Sequence, residues 1–183
     1  LSVVSFGFFL GAESPAVWRG PMVGKAVTQF SRGVVWPGLD VLVVDLPPGT
    51  GDVPLSLAQS VVVDGAIVVT TPQRLASLEA AKAIEMFRTL EVPLIGVVEN
   101  MSHATCACGR RSHPFGRGGG ASLGRAAGVP VLGQLPFDEG IVADGDCGVP
   151  PMIQAPESEV AVAMRAMAAI VREVLQLEAA AVG

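Results

Sequence analysis

Val41-Leu42-Val43-Val44-Asp45-Leu46-Pro47-Pro48-Gly49-Thr50-Gly51-Asp52 sets an apolar run against an acid, then a turn stiffened by prolines and punctuated by glycine. With Leu39 and Asp40 before it, the run predicts a buried strand over Leu39 to Asp45. Upstream, a helix is expected from about Pro21 to Ser31. Downstream, the strand Gly65 to Thr71 is followed by a helix from about Arg74 to Leu90, where Ala76, Ala80, Ala83, Ile84 and Phe87 make an apolar face. Pro93 to Glu99 is a third strand, Ala121 to Ala127 a short helix, Val129 to Leu135 a further strand, and about Glu157 to Leu177 a terminal helix. Strand-like runs alternating with helical stretches build a parallel sheet covered by helices. The expected class is α/β, and with no repeat or linker residues 1–183 read as a single domain.

Composition bounds the function. The chain has 183 residues, 50% of them hydrophobic, enough for one core. A net charge of −5, with Arg110 and Arg111 the only adjacent basic residues, leaves no electrostatic footprint for nucleic acid or an anionic membrane. No apolar stretch reaches the roughly 20 residues that a bilayer requires. Leu1 to Phe9 lacks the basic segment and cleavage site of a signal peptide, so a cytoplasmic location is expected. The start at Leu1, already inside an apolar run, is read as a sign of a fragment.

Asp45 and Gly49 carry the first candidate chemistry. An aspartate at the C-terminal end of a buried strand meets Mg²⁺, usually through water, in phosphate-cleaving enzymes, and a following glycine lets backbone N–H approach the terminal phosphate. The plainer reading is a strand end followed by an ordinary turn. Residues 101–120 form a polar, glycine-rich insert, expected to be neither helix nor strand, and long irregular loops are usually functional. Within it, Cys106 and Cys108 are soft ligands for an iron–sulfur cluster or Zn²⁺, although a cluster generally takes four thiolates. An odd total of three cysteines argues against a secreted disulfide framework and favours metal or redox chemistry for the close pair. His103 and His113 flank the pair as extra ligands or as solvated side chains, while Cys147 is expected to be a small buried residue. Asn100, at a strand end, has an amide that can donate to and accept from a purine edge, but Asn100 and Asp138 also suit helix caps and turns.

The octapeptide Asp45 to Asp52, DLPPGTGD, resembles the switch II signature of the Mrp/ApbC family, within the MinD/ParA/nitrogenase iron-protein class of P-loop ATPases. Trp18-Arg19-Gly20-Pro21-Met22, Glu99-Asn100-Met101-Ser102, the run Gly118 to Gly120 and Gly133 to Asp138 are similar to further family segments, in the family's order. The resemblance implies a P-loop NTPase-like sheet and a catalytic loop holding Asp45, Gly49 and Asp52. In it Asp45 would organise Mg²⁺ and the attacking water, and Gly49 would sense the γ-phosphate of ATP. It places adenine at Asn100, with Pro136 and Asp138 closing the base pocket. It also implies a [4Fe–4S] cluster bridging a homodimer through Cys106 and Cys108 and passed on to apo iron–sulfur proteins. One departure stands out, because the family spacing is Cys-x-x-Cys and this chain has Cys-x-Cys.

A GxxxxGK[ST] phosphate-binding run occurs nowhere in the chain, and Lys25 reads as a surface helix lysine rather than a P-loop lysine. In the family that loop precedes DLPPGTGD. The expectation is therefore a fold without its N-terminal P-loop strand and helix, and no ATP hydrolysis by residues 1–183 alone. Two other readings stay open: a MinD/ParA-like ATPase switch without a cluster, and an inactive truncated remnant.

Overall fold

The computed structural model describes residues 1–8, 20–106 and 108–177, so the predicted Trp18-Arg19 segment lies outside the described residues. The chain divides into two compact units, residues 1–63 and 64–183.

In the first unit a 3-10 turn at Phe6–Phe8 precedes helix α1, Gly20–Arg32, and later helix α2, Asp52–Ser60. The sequence reading anticipated α1 and missed α2, whose start is masked by glycine and proline. Pro54 is tolerated because it falls in the first turn, where N–H groups have no helical partner in any case. Asp52 in that turn complements the helix dipole. The two helices meet where Gly24 faces the Ser56 side chain with no room for a Cβ, and Thr28 Oγ1 lies 2.8 Å from Ser60 Oγ.

The predicted buried strand Leu39 to Asp45 is corrected by the structure. Residues 39–45 belong to no strand, and Val41, Leu42, Val43 and Val44 are exposed, Val43 by 85%. A strand needs a hydrogen-bonded neighbour, and the described residues of this unit contain no other strand to supply one.

The second unit is built on a three-stranded parallel sheet in the order β1-β2-β5, where β1 is Ala66–Thr70, β2 Leu94–Glu99 and β5 Val131–Gln134. Helix α3, Arg74–Thr89, crosses from β1 to β2, and α4, Gly119–Ala127, leads from the insert into β5. Ala80 and Ile84 of α3 and Leu123 and Ala127 of α4 pack with Val68 and Val97 in one core. Helix α7, Glu159–Val174, closes a second core, in which Ala163, Met164, Met167 and Val171 cover Ile95, Val98, Leu132 and Leu135. Consecutive residues Val97 and Val98 thus serve opposite layers, as the period of a strand requires.

The insert is not wholly irregular, contrary to expectation. Ala104–Thr105 (β3) and Arg111–Ser112 (β4) pair antiparallel in a small hairpin, and the glycine run opens α4. Helices α5, Gly140–Asp146, and α6, Pro151–Gln154, were also unforeseen, and neither contains a buried residue to give an apolar period. No described helix is long and apolar enough to cross a membrane.

Ile84 is among the most fully buried side chains, whereas Leu75 on the same helix is exposed. Ile84→Ala is expected to lower stability by about 2–5 kcal/mol in urea denaturation, and Leu75→Ala to change it by less than about 0.5 kcal/mol.

Candidate functional site

The loops that leave β2 and β5 emerge side by side at the C-terminal edge of the sheet, because Glu99 pairs with Gln134 in the parallel register. The pairing runs on past the strands. Leu135 N–H donates to the Glu99 carbonyl at 2.9 Å, Ser102 N–H to the Leu135 carbonyl at 2.9 Å, and Phe137 N–H to the His103 carbonyl at 2.6 Å. Asn100, Pro136 and Asp138 therefore share one edge. The Asn100 N–H donates to the Thr70 carbonyl at 2.7 Å, and its Oδ1 accepts from Met101 N–H at 2.9 Å, where the backbone turns with φ 54°. Asp138 Oδ1 accepts from Gly140 N–H at 2.8 Å, so this acid also shapes the turn into α5. Pro136 is buried.

Beneath this edge lies a carboxylate that the sequence reading did not single out. Glu99 is only 1% exposed; its Oε2 accepts from Gly120 N–H at 2.6 Å and its Oε1 from Gln134 Nε2 at 3.0 Å. A buried carboxylate is tolerated only when hydrogen-bonded, and here one of its bonds comes from an N–H in the first turn of α4. A Cβ on Gly120 would come within 2.8 Å of the Glu99 Cβ, which accounts for a glycine at that position.

Cys106 and Cys108 stand exposed on the hairpin, their Cα atoms 5.3 Å apart, and the structure joins them in a disulfide; Ala107 between them lies outside the described residues. The thiolate form of the pair is the one that takes metal. Among the described residues no group of three or more His, Cys, Asp or Glu could hold a metal ion.

The expectations for the neighbouring side chains need correction. His103 is buried, with Nδ1 2.7 Å from Ser102 Oγ and Nε2 3.1 Å from Glu159 Oε1, and His113 Nδ1 lies 2.9 Å from the Ser102 carbonyl oxygen. Both make hydrogen-bond contacts at the hairpin base, with His103 buried and His113 half-buried. Cys147, expected to be buried, is exposed at the C-terminal cap of α5, a short helix that buries nothing.

Asp45, Gly49 and Asp52 lie in the first unit, all exposed. Gly49 has φ 100°, a conformation that side chains resist, with open space where a Cβ would stand. Asp45 borders an open groove lined by Phe30, Trp36 and Val41. Lys25 is exposed on α1, as expected for a surface lysine.

A parallel sheet covered by helices, with polar loops gathered at its C-terminal edge, has the α/β fold of P-loop NTPase-like proteins. A family model described as ParA, NUBPL iron-transfer P-loop NTPase, matches residues 1–174, and the chain belongs to that family. It is 45% identical over 169 residues to the iron-sulfur cluster carrier protein of Escherichia coli, covering 92% of this chain and 46% of the relative. The carrier of Deinococcus radiodurans is 51% identical over 158 residues, covering 86% and 45%. The chain thus spans about half the length of the curated relatives it matches. Among solved structures, a nucleotide-binding protein from Archaeoglobus fulgidus in complex with ADP aligns with TM-score 0.64 and 34% identity, over 75% of this chain and 56% of that one. The cell division ATPase MinD of Pyrococcus furiosus aligns with TM-score 0.62 over 85% and 59%, a likeness of fold alone at 18% identity.

Glu99→Ala leaves the buried Gly120 N–H without its acceptor and is expected to cost roughly 1–3 kcal/mol. Thermal denaturation together with amide exchange at Gly120 measures this, and an unchanged exchange rate would separate Glu99 from the start of α4.

Proposed function

We propose that the protein is an ATP-dependent carrier of iron–sulfur clusters, working in the cytoplasm as a homodimer, with residues 1–183 part of one P-loop ATPase domain. The observation that carries this reading is the Cys106–Cys108 pair, two sulfurs held close on an exposed hairpin that become soft ligands once reduced, supported by membership in an iron-transfer family. The cargo is a [4Fe–4S] cluster. Because such a cluster takes four thiolates, two chains each offering one pair complete its shell across a twofold axis. Apo iron–sulfur proteins receive it.

In this reading Asn100, Pro136 and Asp138 hold the base of ATP, while Asp45, Gly49 and Asp52 act at its phosphates. Asp45 suits Mg²⁺, since its exposed carboxylate is a hard oxygen donor with no hydrogen bond among the described residues, and the ion would neutralise phosphate charge when bound. Gly49, free to keep φ 100°, brings a backbone N–H toward the γ-phosphate. ATP can gate the cargo to the extent that it favours one dimer arrangement over another. Residues 1–183 contain no GxxxxGK[ST] nest, so by themselves they turn over no ATP.

Anaerobic reconstitution with iron and sulfide, in a protein extended to the length of its relatives, is expected to give a brown dimer with about one cluster per two chains. Cys106→Ala and Cys108→Ala abolish the cluster and Cys147→Ala retains it; equal iron content in Cys106→Ala would sink the assignment. In the same protein, Asp45→Asn is expected to lower steady-state ATP hydrolysis by roughly tenfold or more while leaving nucleotide binding largely intact by calorimetry.

A further inference from the structure

A hairpin of two-residue strands has little stability of its own, yet this one carries the cysteine pair. Its internal backbone bonds include Cys106 N–H to the Arg110 carbonyl at 3.1 Å and Gly109 N–H to the Cys106 carbonyl at 2.8 Å. These close the tip without orienting the hairpin on the sheet.

Orientation comes from one carboxylate oxygen far away in sequence. Glu159 Oε1 accepts from Arg111 Nη2 at 2.7 Å and lies 3.1 Å from His103 Nε2. His103 immediately precedes β3 and Arg111 stands in β4 opposite Thr105, so a single oxygen grips the residue entering one strand and the tip-side residue of the other. A carboxylate only accepts, which places the Nε2 proton on His103 and leaves Nδ1 facing the hydroxyl of Ser102 at 2.7 Å. The anchor itself is fixed. Glu159 is the first residue of α7, Ser158 Oγ caps that helix by accepting from Ala161 N–H at 3.2 Å, and the next two residues, Val160 and Ala161, are 1% and 0% exposed.

We propose that Glu159 is a positioning residue for Cys106 and Cys108, a clamp that sets the angle at which α7 presents the pair to its cargo. Exposed ion pairs contribute little to global stability, so the clamp acts on the hairpin's local freedom rather than on the fold. Its bearing on cargo rests on the carrier reading, but its bearing on the hairpin does not.

The test compares wild type with Glu159→Ala, Glu159→Gln and Arg111→Ala in the reduced full-length protein. Amide exchange at Cys106 is expected to speed up about fivefold in Glu159→Ala and Arg111→Ala, with Val97 and Val98 unchanged. Adding Arg111→Ala to Glu159→Ala gains nothing further, because Glu159→Ala already removes the Arg111 contact. Glu159→Gln, which keeps an acceptor oxygen, falls between. Loss of a reconstituted cluster to a chelator is expected to accelerate in the same order. Unchanged exchange at Cys106 in both Glu159→Ala and Arg111→Ala overturns the clamp, and so does equal acceleration across β2, which would make Glu159 a support for α7 alone. A wild-type protein that takes up no cluster overturns the carrier reading instead, and exchange at Cys106 then decides the clamp by itself. Glu159→Gln and Arg111→Ala keep the test valid if Glu159→Ala fails to fold.

Discussion

Glu99 holds a charge-bearing group under the sheet edge, and the layout of the second unit is measured from it. Its two oxygens reach the first turn of α4 and the last residue of β5, so the end of one strand, the start of one helix and the end of the next strand are fixed together. Asn100 follows directly, and the cysteine hairpin is the excursion between Glu99 and Gly120. Without those hydrogen bonds the buried carboxylate would be strongly unfavourable, which forces the glycine at 120 and the close approach of α4. The edge geometry is thus a consequence of satisfying one acid.

From that edge, the loop after β2 and the loop after β5 continue as one body. Backbone bonds from Ser102 to Leu135 and from Phe137 to His103 extend the pairing, and the rings of Phe115 and Phe137 lie 6.2 Å apart. The residues flanking Pro136 are therefore hydrogen-bonded directly to Ser102 and His103, which lead to the cysteines, rather than joined to them by a flexible tether. A displacement at Phe137 reaches His103 through one backbone contact, so the proposed coupling of nucleotide to cargo would need no long relay.

The sequence was most legible where physics is local. The runs ending at Thr70, Glu99 and Gln134 became the sheet, and Ala80 and Ile84 on α3 point into its core as their spacing predicts. The run ending at Asp45 has the same composition, yet a strand depends on an edge to pair with, which apolarity alone does not supply. Short helices that bury nothing, α5 and α6, leave no period to read. At the site, the cysteine pair and Asn100 were visible as linear motifs. Glu159 was not, because its partners lie 48 and 56 residues earlier and nothing near it in sequence signals a carboxylate shared by two side chains.

The placement of α7 also dictates an order of assembly during synthesis. The face formed by Ile95, Val98, Leu132 and Leu135 stays wet until Met164, Met167 and Val171 have left the ribosome. The same helix brings Glu159, so the cysteine hairpin gains its anchor only when that face is sealed. A nascent chain thus exposes two untethered thiols for as long as that face is uncovered, and α7 ends both conditions in one docking event.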